Sequence, residues 1–183
     1  MKATYFLFIF LLGSTPALAE QTCDTEKYPL SINPDQYTDN DNGTLTDDRS
    51  KLMWMRCSMG QDWSGSTCTG KPKTYTWQSA NDAANKLNSK SGYAGYSDWR
   101  LPQIPELAMI TERQCANPRT NIALFPETPA NFFWTATEPA DPGYAYALSF
   151  GSEGATYKNR KDKLNVRLVR GGMPMPASPA KPK

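Results

Sequence analysis

The stretch GYSDWRLPQIPEL, Gly95–Leu107, turns an extended segment into the start of a helix, and the rest of the chain is organised around it. Leu101 precedes Pro102, which pushes it away from the helical region, so Asp98–Pro102 is expected to be extended. Pro105 suits a first helical turn, where its missing N–H costs nothing. The spacing predicts a second helix from Pro105 to about Arg113, with Leu107 and Ile110 facing inward. Upstream, Trp77, Ala80, Ala84 and Leu87 form one apolar stripe at helical spacing. Thr76 can cap that helix, and Gly92 and Gly95 lie beyond its end.

Moving outward, the periodicity changes. YTDNDNGTLTDDRSKLMWMRC predicts a hairpin, with strands at Thr44–Thr46 and Lys51–Arg56 and turn chemistry at Asn42-Gly43 and Asp47-Asp48. Downstream, residues 118–130 are a proline-punctuated loop. Strands are then predicted at Phe132–Thr137, Tyr144–Phe150, Ala155–Asn159 and Asn165–Arg170. Helices and strands segregated along the chain argue α+β, two helices packed on antiparallel strands, rather than a parallel βαβ fold.

The chain has 183 residues. Residues 1–19 have the form of an export signal: a charged start at Lys2, an apolar core at Tyr5–Gly13, and Ala17-Leu18-Ala19 ahead of a cut before Glu20. That core is too short to span a bilayer, and no second long apolar run follows. The expectation is an exported protein, periplasmic or extracellular, without a membrane span. One domain is expected over 20–172. A disordered proline-rich tail is expected over 173–183. Twenty basic residues face eighteen acidic ones, a net of +2, which argues against nucleic acid as a partner.

Cys23, Cys57, Cys68 and Cys115 all follow the leader. Four cysteines in an oxidising compartment give two disulfides and three possible pairings. Cys57–Cys68 is favoured because the residues between them are polar and rich in Gly and Ser; Cys23–Cys115 then follows. No histidine is present, which removes Ser-His-Asp and Cys-His nucleophile systems and imidazole bases. The cysteine spacing does not fit a zinc site. The Asp/Asn cluster also fails the calcium-loop template. With Gly43 at the glycine position, Thr38 takes the first ligand position and Arg49 falls where a bidentate Glu is needed. No metal and no cofactor are expected.

Four segments together carry a resemblance: Asp39–Trp54, Thr76–Leu87, Gly95–Leu107 and Phe132–Gly172. They resemble the Legionella collagen-like (Lcl) C-terminal domain family, with DWRLP followed by Glu106-Leu107 the most specific piece. The resemblance implies a C-type-lectin-like α+β fold related to the formylglycine-generating enzymes. In the family's founding adhesin this domain follows a collagen-like stalk and is implicated in binding sulfated glycans and host surfaces. This chain has no G-x-y repeat. Formylglycine-generating chemistry relies on cysteines working with copper, and here all four are expected in bridges, so no catalysis is expected.

Charge is uneven along the chain. Residues 24–48 carry seven acidic groups against Lys27, and residues 151–183 carry eight basic groups against Glu153 and Asp162. Lys158, Arg160, Lys161 and Lys163 fall in one predicted turn. Such a turn would either grip an anionic glycan, or stand as a solvated turn neutralised by the acidic hairpin. Trp63, inside the Cys57–Cys68 loop, is equally a sugar-stacking platform or a lid on a small core, and Tyr144 is a further aromatic candidate. Arg100 with Glu106 is expected to be a structural ion pair. Trp54, Trp77, Trp99 and Trp134 are expected in the core, and Arg167 and Arg170 are expected to support the fold. The leading expectation is a lectin-like binding or adhesion module for an anionic glycan or an envelope or host-surface protein. The alternative is a structural subunit of the cell envelope with no sugar ligand.

Overall fold

Both expected helices form in the computed structural model, which describes residues 21–172; the expected leader and proline-rich tail lie outside the described residues. In chain order, β1 (Thr22–Cys23) precedes a 3-10 turn at Pro34–Gln36, then β2 (Tyr37–Asp39), β3 (Thr44–Asp47) and β4 (Leu52–Met55). Two short strands follow, β5 (Asp62–Trp63) and β6 (Cys68–Thr69), and then the helices α1 (Trp77–Ser89) and α2 (Ile104–Ala108). The chain ends with β7 (Cys115–Ala116), β8 (Phe132–Trp134), β9 (Tyr144–Ser149), β10 (Ala155–Asn159) and β11 (Val169–Gly171). Every strand pairing is antiparallel, in sheets ordered β11-β4-β3-β2, β10-β9-β8, β1-β7 and β5-β6. The class is α+β.

Local chemistry explains the element ends. The Thr76 hydroxyl accepts from Ser79 N at 3.2 Å and caps α1. At its other end Gly92 N donates to Leu87 O. Gly92 has φ +66°, and a Cβ there would fall 1.9 Å from the Tyr96 carbonyl oxygen, so only glycine fits. Gln103 N donates to the Glu106 carboxylate at 2.7 Å where α2 begins.

The second helix stops at Ala108, well short of the expected Arg113. Met109, Ile110 and Thr111 tighten into turns bonded three residues back. Glu112 N then donates to Arg119 O, so a tertiary partner ends the helix. Leu107 and Ile110 are nonetheless fully buried.

The expected strand at Asn165–Arg170 is also different. Only Val169–Gly171 ladders, against β4. Upstream, Asn165 exchanges backbone bonds with Phe132 and Trp134 of β8, Val166 O accepts from Met59 N, and Leu168 O accepts from Met55 N. This segment passes from one sheet to the other, which is why residues 165–169 are all buried. It contributes to two apolar clusters, Val169 to one and Val166 and Leu168 to the other. One gathers Trp54, Leu107, Phe125, Phe133 and Phe150; the other gathers Ala80, Ala84, Trp99, Trp134 and Val166. Each large side chain buried there stabilises by about 1.5–3 kcal/mol before entropy is counted.

Both disulfides form: Cys57–Cys68 joins the segment between β4 and β5 to the first residue of β6, and Cys23–Cys115 spans a directly opposed pair in β1 and β7. No helix among the described residues is long and apolar enough to cross a membrane.

Candidate functional site

β9 alternates Tyr144-Ala145-Tyr146-Ala147, and its alanines are buried. The period of two therefore sends both tyrosines to the opposite, outer face of the three-stranded sheet. Tyr157 of β10 lies directly across from Tyr146 in register. Its ring meets Tyr144 edge-on at 5.6 Å and Tyr146 at 6.1 Å. Tyr157 is 58% exposed. With Pro139 and Asp141, Tyr144 and Tyr157 line a shallow depression of about 270 Å³. Neither Tyr146 nor Tyr157 is among the sequence candidates: the alternation in β9 marks Tyr146, whereas nothing in the sequence marks the register that sets Tyr157 opposite it.

The four predicted cations of the neighbouring turn divide. Lys158 lies within β10, with its ammonium 3.9 Å over the Phe132 ring. Arg160 has intramolecular partners on three sides. Its Nε donates to Tyr144 O at 2.9 Å, its Nη2 pairs with the Glu138 carboxylate, and its guanidinium lies 4.0 Å over Trp77. Lys161 and Lys163 are exposed, and neither is in an ion pair among the described residues. The turn therefore carries two free lysines just after β10, rather than four free cations. The acidic hairpin contributes no ion pair to it.

Trp63 belongs to a different place. The Arg56 guanidinium lies 4.2 Å over its ring, and Gly43 backs it so closely that a Cβ there would come within 2.9 Å of the Trp63 Cβ. Arg56 is itself held by Asp39 and by the carbonyls of Ala123 and Leu124. Trp63 shares none of these contacts with Tyr144 or the lysine turn. Trp77, expected in the core, is half-buried under Arg160 and donates from Nε1 to Thr135 O at 2.9 Å. Trp54, Trp99 and Trp134 are buried.

Arg100 and Glu106 form a two-bond pair at 2.7 Å each. Arg170 pairs with Asp98 and stacks 3.7 Å from the Tyr96 ring centre. The bond from Arg170 holds the Asp98 carboxyl below its usual range. Arg167 is fully buried, with no carboxylate beside it. One nitrogen donates to Thr128 Oγ1 at 2.7 Å, and the guanidinium carbon lies 4.7 Å over the Phe125 ring. Desolvation by burial pushes its pKa down to about 9.

The model of the Lcl C-terminal domain matches residues 43–170. The chain belongs to the Lcl C-terminal domain family. No curated protein matches it. In this Lcl domain the matched stretch runs from the β3 turn to β11 and takes in both helices, the tyrosine face and the lysine turn. The arm carrying β1 lies ahead of the match, tied to it by Cys23–Cys115.

Proposed function

We propose that this Lcl domain is an exported, non-catalytic binding module of C-type-lectin-like design, for anionic, sulfated glycans or a surface partner carrying them. The observation that carries the reading is the face of β9–β10 on which Tyr144, Tyr146 and exposed Tyr157 meet, with the exposed Lys161 and Lys163 in the turn that leaves β10. Aromatic rings offer flat apolar area to the C–H faces of a sugar. Two cations at the rim attract sulfates, more strongly at low salt. Export is supported by the form of residues 1–19 and by the two disulfides, which persist in oxidising compartments. A passive role is supported by the bridging of all four cysteines and by the absence of histidine from the chain.

The test is a heparin column run on oxidised protein with a rising salt gradient. Wild type is expected to elute later than Lys161→Ser/Lys163→Ser, and Tyr157→Ala is expected to lose oligosaccharide binding on a glycan array. Co-elution of wild type with the lysine variant overturns the reading. A blank array together with co-purifying envelope proteins would favour a structural envelope subunit instead.

A further inference from the structure

The outermost strand of the three-stranded sheet is β10, and its 5 residues ladder with β9 alone. Ser149 N donates to Gly154 O, and Arg160 N donates to Gly143 O. Carried through the register, that pattern turns the backbone groups of Thr156 and Lys158 toward β9 and those of Ala155, Tyr157 and Asn159 outward. Among the described residues, the amides and carbonyls of Ala155 and Tyr157 have no backbone partner, and neither has the Asn159 amide. All three residues are exposed. Elsewhere the outer edges are covered: Val169 of β11 exchanges both bonds with Arg100, and Asn165 runs beside β8.

An open edge of this kind is a template for another strand unless a proline, a bulge or a charge guards it. β10 has no proline, and its register with β9 is unbroken. Its one charged residue, Lys158, is occupied within its own copy, over the Phe132 ring. Charges of opposite sign flank the strand instead. Glu153 precedes it and Lys161 follows it; both are exposed, and neither is in an ion pair among the described residues. Ser149 Oγ donates to Glu153 Oε2 at 2.7 Å and fixes the carboxylate where the strand begins.

From these we infer that β10 pairs with β10 of a second copy of this chain, antiparallel about a two-fold axis at Tyr157. The outward groups match that axis: Tyr157 exchanges both bonds with its counterpart, and Asn159 N donates to the partner's Ala155 O. Charge selects the same register. With Tyr157 opposite itself, Glu153 faces the partner's Lys161 on each side of the axis. An axis at Lys158 would oppose two like charges. One at Thr156 would set Glu153 against Asn159, which carries no charge. The Tyr157 axis also makes a cross-strand aromatic pair. Such a contact is self-complementary and closes at two copies. The inference goes beyond the glycan reading and does not rest on it, because the backbone edge of the strand carries it and not the ring face.

Sedimentation velocity of the oxidised protein over a concentration series tests it. Wild type is expected to form a reversible dimer by about 0.1 mM, with hydrogen exchange at the Tyr157 amide slowing as the dimer fills. Ala155→Pro removes an outward N–H and no bond to β9, so it is expected to stay monomeric. Lys161→Glu sets like charges opposite each other on both sides of the axis, and is expected to weaken the dimer about tenfold. Glu153→Lys/Lys161→Glu restores the attraction and is expected to return the dimer to within about threefold of wild type. A lysine that served only its own copy would not be rescued in this way. Wild type that stays monomeric at that concentration would overturn the inference, whether the edge stays bare or takes an extended peptide from another protein. So would an undiminished dimer in Ala155→Pro, or a double variant no tighter than Lys161→Glu.

Discussion

The Arg100 guanidinium grips the Glu106 carboxylate through two bonds of 2.7 Å, while the Arg100 backbone exchanges both of its hydrogen bonds with Val169. One residue thus ties the start of α2 to the chain entering β11. Glu106 has a second task there, since its carboxylate also accepts Gln103 N.

Geometry makes lysine a poor replacement for Arg100. A single ammonium cannot match both carboxylate oxygens in plane. Arg100→Lys is expected to lower stability by about 1 kcal/mol and Arg100→Ala by about 2 kcal/mol, because Glu106 is buried while Arg100 is partly exposed. Urea denaturation checks this. A loss within about 0.3 kcal/mol for the alanine variant would place the pair with ordinary surface pairs.

Glu112 is 1% exposed and joins the N-terminal arm to the turn after α2. Burial alone would raise its pKa, but the Ser31 hydroxyl and the backbone N–H groups of Gln114, Ile32 and Ser31 together hold it below the usual glutamate value. A depressed folded-state value means that the stabilisation is present above the unfolded pKa of about 4.3 and is lost as pH falls through the folded one. Glu112→Gln is expected to cost about 2 kcal/mol at neutral pH. Its deficit relative to wild type should shrink as both proteins are taken below about pH 4. Parallel Tm measurements from pH 7 down to 3 read this out, and a deficit constant with pH would refute the charged role.

Glu112 also shows where sequence reading stops. The start of α2 was legible because Pro105 and Glu106 act within a single turn, and α1 was legible from Thr76, its apolar stripe and Gly92. Glu112 reaches Ser31, 81 residues away, and nothing near either residue marks the pair. The same holds for Arg160 and Glu138, 22 residues apart: charge counting left Arg160 either a ligand cation or part of a solvated, neutralised turn, and only the tertiary path makes it a brace on Trp77. In β9 the alternation was visible, whereas the partner of Tyr146 depended on a register set by the loop through 150–154. The end of α2 escaped for a related reason, since Arg119 takes the Glu112 amide.

The Cys23–Cys115 bridge closes 92 residues, for which loop entropy alone gives a stabilisation of about 4–5 kcal/mol. The fold around it argues for less. Residues 22–31 are exposed, and Ser31 and Ile32 are already anchored on Glu112 without the bridge. Without the crosslink the arm can fray in the native state and recover entropy there. Cys23→Ser/Cys115→Ser is therefore expected to lose clearly less than the loop value in urea. It should also gain tryptic cleavage after Lys27, read by mass spectrometry. A full 4–5 kcal/mol loss with Lys27 still protected would mean that the arm unfolds only with the rest of the domain.

Arg167 is the least compensated charge among the described residues. Its guanidinium is buried against Phe125 with no carboxylate beside it, and its Nε and Nη1 have no partners. Desolvation puts its folded-state pKa at about 9, so the folded protein binds that proton less tightly than the unfolded chain does. The sign follows: the unpaired buried charge opposes folding throughout the neutral range. Methionine has similar length and can fill the same space between the rings. It would leave Thr128 satisfied, because the Thr128 hydroxyl donates to Phe125 O at 2.7 Å. Arg167→Met is therefore expected to raise stability at pH 7 by about 1–3 kcal/mol, as when other buried charges give way to well-packed apolar groups. Arg167→Ala, which opens a cavity beside Phe125, should lower it. Thermal unfolding of both variants decides: a methionine variant less stable than wild type would mean that the Thr128 hydroxyl and the Phe125 ring together compensate the charge.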